Sequence, residues 1–483
     1  MKRAILYIHR YLGIALSLLF VVWFLSGFVM IFHSFPRPVR SAYAKLNSPI
    51  GPVGARPLPD SAASLALETR LDQPLWRVTD TSGRERTLAY PSRQPVESFP
   101  ENECRQLALA RCPAQVAHMQ TLSEFDMWIP WERYAVYFPI YKYSMDDPLH
   151  TVLYVSSATG EIVQETNRRT RLAAWFGAIP HWVYIKQLRL NTTLWQNSII
   201  ALSGLGSLMC LTGLIVGIRY YLKVRNRRPG HGQITPYKKF WMKWHHLLGL
   251  FFGLVTLTYV FSGMMSMCNV PQFIAPGSGR RPMVKKKIAT GIVLPLDKFT
   301  RPVSEIVDHF PTANRIEWIT VAQAPYYKVT LANGSVSVTN ADSSASIGKE
   351  VFTSDEVLLA YTDAIGKYPH SVCLQHVYDN YYRPSSSVPK PLPVYRVDIG
   401  NPERTSLYVN PVTTEKVAEF TSNTRVRRWA YQFLHTFDTP WLLGHPRTRL
   451  ALELALMAGG TLLSVTALVL TCRKLTKRKT VLK

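Results

Sequence analysis

YLGIALSLLFVVWFLSGFVMIF, residues Tyr11–Phe32, runs for twenty-two positions without a charged side chain. A spanning helix needs about 20 predominantly apolar residues, so this stretch can cross a bilayer unaided. It is longer than the apolar core of a signal peptide, and no small-x-small cleavage site follows, so it reads as an uncleaved anchor. Three further uncharged stretches follow: Leu190–Ile218, Trp244–Gln272 and Leu454–Cys472. The expected order is a span at 1–33, a polar segment at 34–189, a span at 190–222, a loop at 223–239, a span at 240–270, a second polar segment at 271–449, a span at 450–472 and a tail at 473–483.

Composition agrees. The 483 residues are 47% hydrophobic and 18% charged, against about 25% charged in soluble proteins, which excludes a disordered chain, a coiled coil and a fibre. Lys+Arg 56 against Asp+Glu 31 gives +25, and the location of that charge decides its meaning. The loop carries Lys223, Arg225, Arg227, Arg228, Lys238 and Lys239 without an acid, and the tail from Arg473 is equally one-sided. With Lys2 and Arg3 these follow the positive-inside rule and place the termini and the loop in the cytoplasm. Segment 34–194 holds 18 basic and 15 acidic residues, segment 268–449 holds 21 and 15. The excess is therefore topological and no nucleic-acid footprint is expected; the residual surplus outside favours an anionic ligand.

The motif inside the first anchor recurs. His9-Arg-Tyr-Leu-Gly13 returns as His245-His-Leu-Leu-Gly249 and Ser26-Gly27 as Ser262-Gly263, both offset by 236. Leu153-Tyr-Val155 returns as Leu407-Tyr-Val409, and Arg171, Trp175, His181 and Arg219 return as Arg425, Trp429, His435 and Arg473, all offset by 254. The expected unit is span, outer module, span, used twice as parallel repeats. The fold class is therefore an integral membrane, all-α four-helix bundle with two outer α+β domains, internally duplicated. Within the second module, Glu305–Phe310 predicts a short helix, Arg315–Thr320 and Tyr326–Leu331 predict strands, and Asn333-Gly334 predicts the hairpin turn. Ala158-Thr159-Gly160 predicts the turn of a matching hairpin in the first module.

The histidines carry the chemistry. His9 and His245 fall near the cytoplasmic ends of their spans; His33, His181 and His435 fall at the outer face. Neutral imidazoles facing a bundle interior are axial ligands for haem iron, and two layers of them describe a transmembrane electron path. Gly13 and Gly249 make room for a flat macrocycle, while the Ser-Gly pairs serve the same end or close helix packing. His246, about 100° around the helix from His245, is the alternative inner ligand. For the outer layer the preferred pairing is His33 with either His181 or His435. His445 and His231 read as loop residues. Glu453, the acid inside a span, is a candidate proton relay; Arg280-Arg281 and Lys285–Lys287 are candidates for an anionic ligand. Cys104 and Cys112, eight apart, would lie about 12 Å apart on one continuous helix, too far to bridge; a bond requires the helix to break between them. The chain lacks a C-x-x-C-H motif, so haem would not be covalently attached.

These motifs, with Arg425-x-x-Arg428-Trp429 leading to His435, Phe310-Pro-Thr-Ala, Tyr378-Asp-Asn-Tyr-Tyr382 and Pro393-Val-Tyr-Arg-Val, resemble the PepSY-associated transmembrane proteins, also called iron-regulated or iron-uptake membrane proteins. The resemblance covers nearly the whole chain; the segment around 98–165 departs from the pattern. It implies that the two outer α+β domains are periplasmic and PepSY-like. It also implies a bacterial inner-membrane protein with two b-type haems, held by His9 and His245 (or His246) inside and by His33, His181 and His435 outside, which reduces periplasmic ferric siderophores or other anionic ferric chelates and releases Fe(II) for uptake. No G-x-G-x-x-G fingerprint follows a strand, so electrons are expected from a quinol in the bilayer or a separate cytoplasmic reductase. Two other readings stand beside it: a non-redox permease component for a siderophore or metal, and PepSY-mediated binding of a periplasmic protease or envelope partner.

Overall fold

The computed structural model describes residues 2–38, 46–54, 62–70, 72–227, 233–276, 293–349, 351–384 and 390–481. Two compact units emerge. One comprises Met1–Phe35, Arg169–Ile274 and Arg425–Lys483; the other comprises Pro36–Arg168 and Ala275–Thr424.

The first unit is built on four helices, Lys2–Phe32, Thr192–Arg227, Phe240–Met267 and Pro446–Val481, each long and apolar enough to cross a membrane. The second and fourth outrun the spans expected at 190–222 and 450–472. Their basic flanks are good helix formers, so helix continues where apolarity ends. The third stops before the expected residue 270 because Pro271 disfavours helical geometry just ahead of it. Phe20, Phe24, Met209, Tyr259, Val260 and Met457 form the buried core. Small residues let the helices approach: a Cβ on Gly253 would meet Leu214 Cδ2 at 2.9 Å, and one on Gly206 would meet Phe20 and Val260 at 3.0 Å.

The second unit contains fourteen strands among the described residues, in three sheets. The six-stranded sheet runs β10-β9-β8-β1-β2-β3. β1 (Ser64–Arg70), β2 (Gln73–Thr79) and β3 (Glu85–Ala89) come from the first polar segment. β8 (Ala313–Val321), β9 (Ala324–Leu331) and β10 (Val336–Asn340) come from the second. The seam is the antiparallel pair β1–β8, with Leu65 opposite Trp318 and Glu68 opposite Arg315. The two segments expected as separate domains at 34–189 and 271–449 thus share a sheet. The reason is physical: β1 alone would leave an open row of N–H and C=O groups, and β8 fills it. One face is apolar, with Leu65, Leu67, Trp76, Ile316, Trp318 and Tyr327 buried together. The other face carries Glu68, almost fully buried beside Arg70, Arg77 and Arg315. Burial alone would push the Glu68 carboxyl up; the three guanidiniums outweigh it and hold the group at about 2.

Two four-stranded sheets flank this one in sequence, both in simple meander order: β4 (Val116–Leu122), β5 (Ile140–Met145), β6 (Val152–Ser156), β7 (Glu161–Thr166), and β11 (His370–Gln375), β12 (Val394–Ile399), β13 (Ser406–Val409), β14 (Lys416–Phe420). The segment around 98–165, set apart by its sequence, therefore has the strand order of its counterpart. Details recur at offset 254: left-handed backbone at His150 and Arg404, and at Gly160 and Thr414. Glu161 pairs with Arg70 at 2.5 Å and Glu415 with Lys328 at 2.7 Å, so each small sheet reaches the large one through a matched carboxylate. Helix Val303–His309, β8, β9 and the Asn333-Gly334 turn fall where the sequence puts them. Helix Glu101–Arg111 is continuous, and Cys104 and Cys112 are free thiols.

Candidate functional site

His9 on the first spanning helix faces His245 on the third. Their ring centres are 6.3 Å apart and their planes incline by 29°. His9 Nδ1 lies 3.0 Å from the Met209 carbonyl, so that nitrogen carries the hydrogen. His245 Nδ1 lies 3.0 Å from Thr466 Oγ1, whose own hydrogen goes to the Leu463 carbonyl at 2.7 Å. A hydroxyl committed in this way accepts from the ring, so His245 is also an Nδ1–H tautomer. Among the described residues no hydrogen bond engages Nε2 of either ring, and both keep a lone pair there.

The space around this pair is shaped by glycine. A Cβ on Gly213 would meet His9 Cε1 at 2.5 Å and Nδ1 at 2.8 Å, whereas a Cβ on Gly13 would meet nothing within 4 Å. A cavity of about 1030 Å³ opens here, lined by His9, His245, His246, Gly13 and Gly249, at the upper end of the range of about 300–1,000 Å³ for small-molecule and cofactor sites. Exposed Arg10, Lys239 and Arg473 and half-buried Lys474 also line it, and among the described residues no Asp or Glu does. His246 differs from its neighbour: its Nε2 lies 3.0 Å from the Gly217 carbonyl and its ring meets Tyr237 edge-on. It has used the nitrogen that His9 and His245 leave free.

A second pair lies toward the other ends of the helices. His181 and His435 have ring centres 6.1 Å apart, with planes at 67°. His181 Nδ1 is 3.1 Å from the Trp23 carbonyl and 3.2 Å from Ser26 Oγ; His435 Nδ1 is 2.9 Å from Ser262 Oγ. Seventeen residues separate His9 from Ser26 and His245 from Ser262, a rise of about 25 Å along either helix. Short helices deliver these two rings. His181 closes Ala178–His181 and His435 lies in Leu434–Thr436, behind a π-helical turn at Arg428–Phe433. Two residues after each histidine the backbone is left-handed, at Val183 (φ 51) and Phe437 (φ 46). Bulky residues there store about 1–3 kcal/mol of strain, a mark of functional sites. Buried Arg428 pairs with Asp438 at 3.2 Å and braces the second turn. Burial pushes both imidazoles down, to about 4, so both are neutral.

The structure brings together His181 and His435, which the repeat matches, and not the expected combination of His33 with either; His33 is exposed at its helix end and meets no other histidine ring among the described residues. The turns that follow His181 and His435 bring them together, which spacing alone does not reveal. Glu453 forms an ion pair with Arg449 at 3.0 Å. His445 stacks on Trp441 as a loop residue would. Arg280, Arg281, Lys285–Lys287 and His231 lie outside the described residues. The residues that sequence reading missed are Gly213, Thr466 and the Met209 carbonyl; Ser26 and Ser262 were noticed for their size and not for their hydroxyls.

Fold and site together define a four-helix membrane protein with a β-rich second unit and two facing imidazole pairs. The PepSY-associated TM region model matches residues 6–310, well over half of the 483, and the chain belongs to that family. No curated protein matches it.

Proposed function

We propose that this chain is a haem-b-containing oxidoreductase of the bacterial inner membrane, internally duplicated, that carries electrons across the bilayer and reduces ferric chelates such as ferric siderophores on the periplasmic side. The observation that carries the reading is the pair of facing imidazole pairs. An imidazole nitrogen bonds a first-row metal at about 2.0–2.1 Å, which puts two rings sharing one metal from opposite sides about 6 Å apart, centre to centre. Both pairs have that spacing, and each ring has its Nδ1 anchored in the way ligating histidines do.

Haem fits these residues. Among the described residues no group of three or more His, Cys, Asp or Glu side chains converges, so each pair offers two ligands and the remaining positions on a metal suit a macrocycle that arrives with it. Gly13 leaves room for the ring, and Arg10, Lys239, Arg473 and Lys474 suit its carboxylates. His9 with His245 would hold one haem, His181 with His435 the other. Bound haem supplies one-electron iron chemistry. The protein's part is to hold neutral imidazoles at two depths and to exclude water between them with Phe20, Phe24 and Tyr259.

Topology supports the direction. β1 precedes the second spanning helix and β8 follows the third, and strands that pair must lie on one side of the membrane. The basic loop and tail assign the opposite side to the cytoplasm. The donor is a quinol in the bilayer or a cytoplasmic reductase. Reduction of the chelate frees iron because the hard oxygen ligands of a siderophore hold Fe(II) poorly. The test is a visible spectrum of the detergent-purified full chain, oxidised and dithionite-reduced, with haem counted per chain. Sharp reduced α-bands and about two haems are expected; a colourless protein from cells well supplied with haem overturns the proposal.

A further inference from the structure

Three of the four paired rings share one device. A hydroxyl on a spanning helix donates to the carbonyl three residues back and presents its oxygen to an imidazole Nδ1–H. Ser26 does so through the Trp23 carbonyl at 3.1 Å, Ser262 through the Tyr259 carbonyl at 2.9 Å, and Thr466 through the Leu463 carbonyl. Serine inside a helix usually bonds backward to its own backbone. Here that bond has a consequence, because it fixes the direction in which the oxygen can accept. Ser26 and Ser262 occupy the same place in the two halves of the bundle, both almost wholly buried in an apolar core.

We propose that Ser262 and Ser26 are positioning residues for the His181–His435 centre, holding both rings in the Nδ1–H tautomer with Nε2 aimed at the metal and setting its reduction potential, with Ser262 the stronger of the two. This rests on the haem reading above. A neutral imidazole without an Nδ1 acceptor can turn over or carry its hydrogen on Nε2, and then it cannot ligate. An acceptor on Nδ1–H also makes Nε2 more basic, which favours the oxidised metal. The ranking follows from distances. His181 has a second acceptor, the Trp23 carbonyl at 3.1 Å, closer than its serine at 3.2 Å. His435 likewise has a backbone acceptor, the Tyr259 carbonyl, but its Ser262 hydroxyl lies at 2.9 Å, nearer than Ser26 lies to His181.

The experiment compares the full chain with Ser262→Ala, Ser262→Thr and Ser26→Ala, each purified in detergent. The readouts are haem content and a potentiometric titration of the α-band. Ser262→Ala is expected to weaken haem retention at one of the two centres about 10–100-fold, the usual cost of losing such a partner, and to raise that centre's potential. Ser262→Thr restores the hydroxyl and with it both properties. Ser26→Ala moves the same centre in the same direction by less. Alanine variants that retain haem and titrate as the parent does overturn the assignment, as does Ser262→Thr behaving like Ser262→Ala. A parent protein without haem is a different result, because it removes the proposed function itself.

Discussion

The two imidazole pairs share their ring spacing and their anchored Nδ1 atoms but differ in how the chain places them. His9 and His245 stand on long spanning helices, beside a cavity edged with cations. His181 and His435 stand on helices of four and three residues, each followed by a left-handed turn, and His435 meets Tyr259 edge-on. The first pair is therefore placed by helix register, the second by turn geometry. A ring placed by register is tolerant of changes elsewhere in the chain. A ring placed by a strained turn depends on whatever holds that turn, here Arg428 on Asp438.

The comparison is most easily broken by deleting a ring. His245→Ala and His435→Ala are each expected to remove one centre, halving the haem per chain; a fall to zero from either would mean that the pairs do not act as separate sites. Crowding comes next. Gly213→Ala places a methyl against His9, and overpacking of this kind costs about 1–3 kcal/mol, or about five- to 150-fold in affinity at that centre. Gly217→Ala is the control, since its nearest neighbour lies at an ordinary 3.6 Å; equal effects from the two would remove the case for a steric seat under His9.

Acid acts first on the pair held by the turns. His181 and His435 are held neutral down to about 4, against an ordinary value of 6.5. Between those values the unfolded chain binds more protons than the folded one, so stability from this site is complete above pH 6.5 and is lost as pH falls toward 4. The haem-free chain should therefore lose stability on acidification below 6.5, read as its unfolding midpoint across a pH series; a midpoint independent of pH over that window would contradict the burial of these rings. The smallest effect belongs to the cavity edge. Arg10→Gln or Arg473→Gln should weaken the His9–His245 centre by up to about fivefold, as exposed ion pairs contribute about 0.2–1 kcal/mol. The loss should grow as salt is lowered and leave the other centre untouched, as read by haem retention across a salt series.

Legibility followed the same divide. The spans, the His9 and His245 motifs and the Asn333-Gly334 hairpin could be read because period, charge and turn chemistry are local. The repeat matched His181 with His435, but their contact could not be read, because it depends on the backbone at Val183 and on a π-helical turn at Arg428–Phe433, neither of which has a sequence signature. The Met209 carbonyl was invisible for a simpler reason: any residue supplies one. Ser26 and Ser262 were visible as a repeat, but smallness and hydrogen bonding predict the same residue type, and only the contact at 2.9 Å to His435 Nδ1 separates them. The shared sheet escaped because β1, read alone, mixes apolar and charged residues with no mark of which edge it will meet.

That seam sets a timetable for biosynthesis. Leu65 of β1 faces Trp318 of β8, about 250 residues later in the chain. At about 5–20 residues per second the ribosome needs roughly 10–50 s to supply the missing neighbour, and two more spanning helices must enter the bilayer in between. Throughout that interval β1 is an open edge awaiting a partner, the kind of surface that chaperones guard and that proteases find in a stalled chain. Completion of the six-stranded sheet thus reports that the third helix has been inserted in the right direction, and a chain with the wrong topology has no means of closing it.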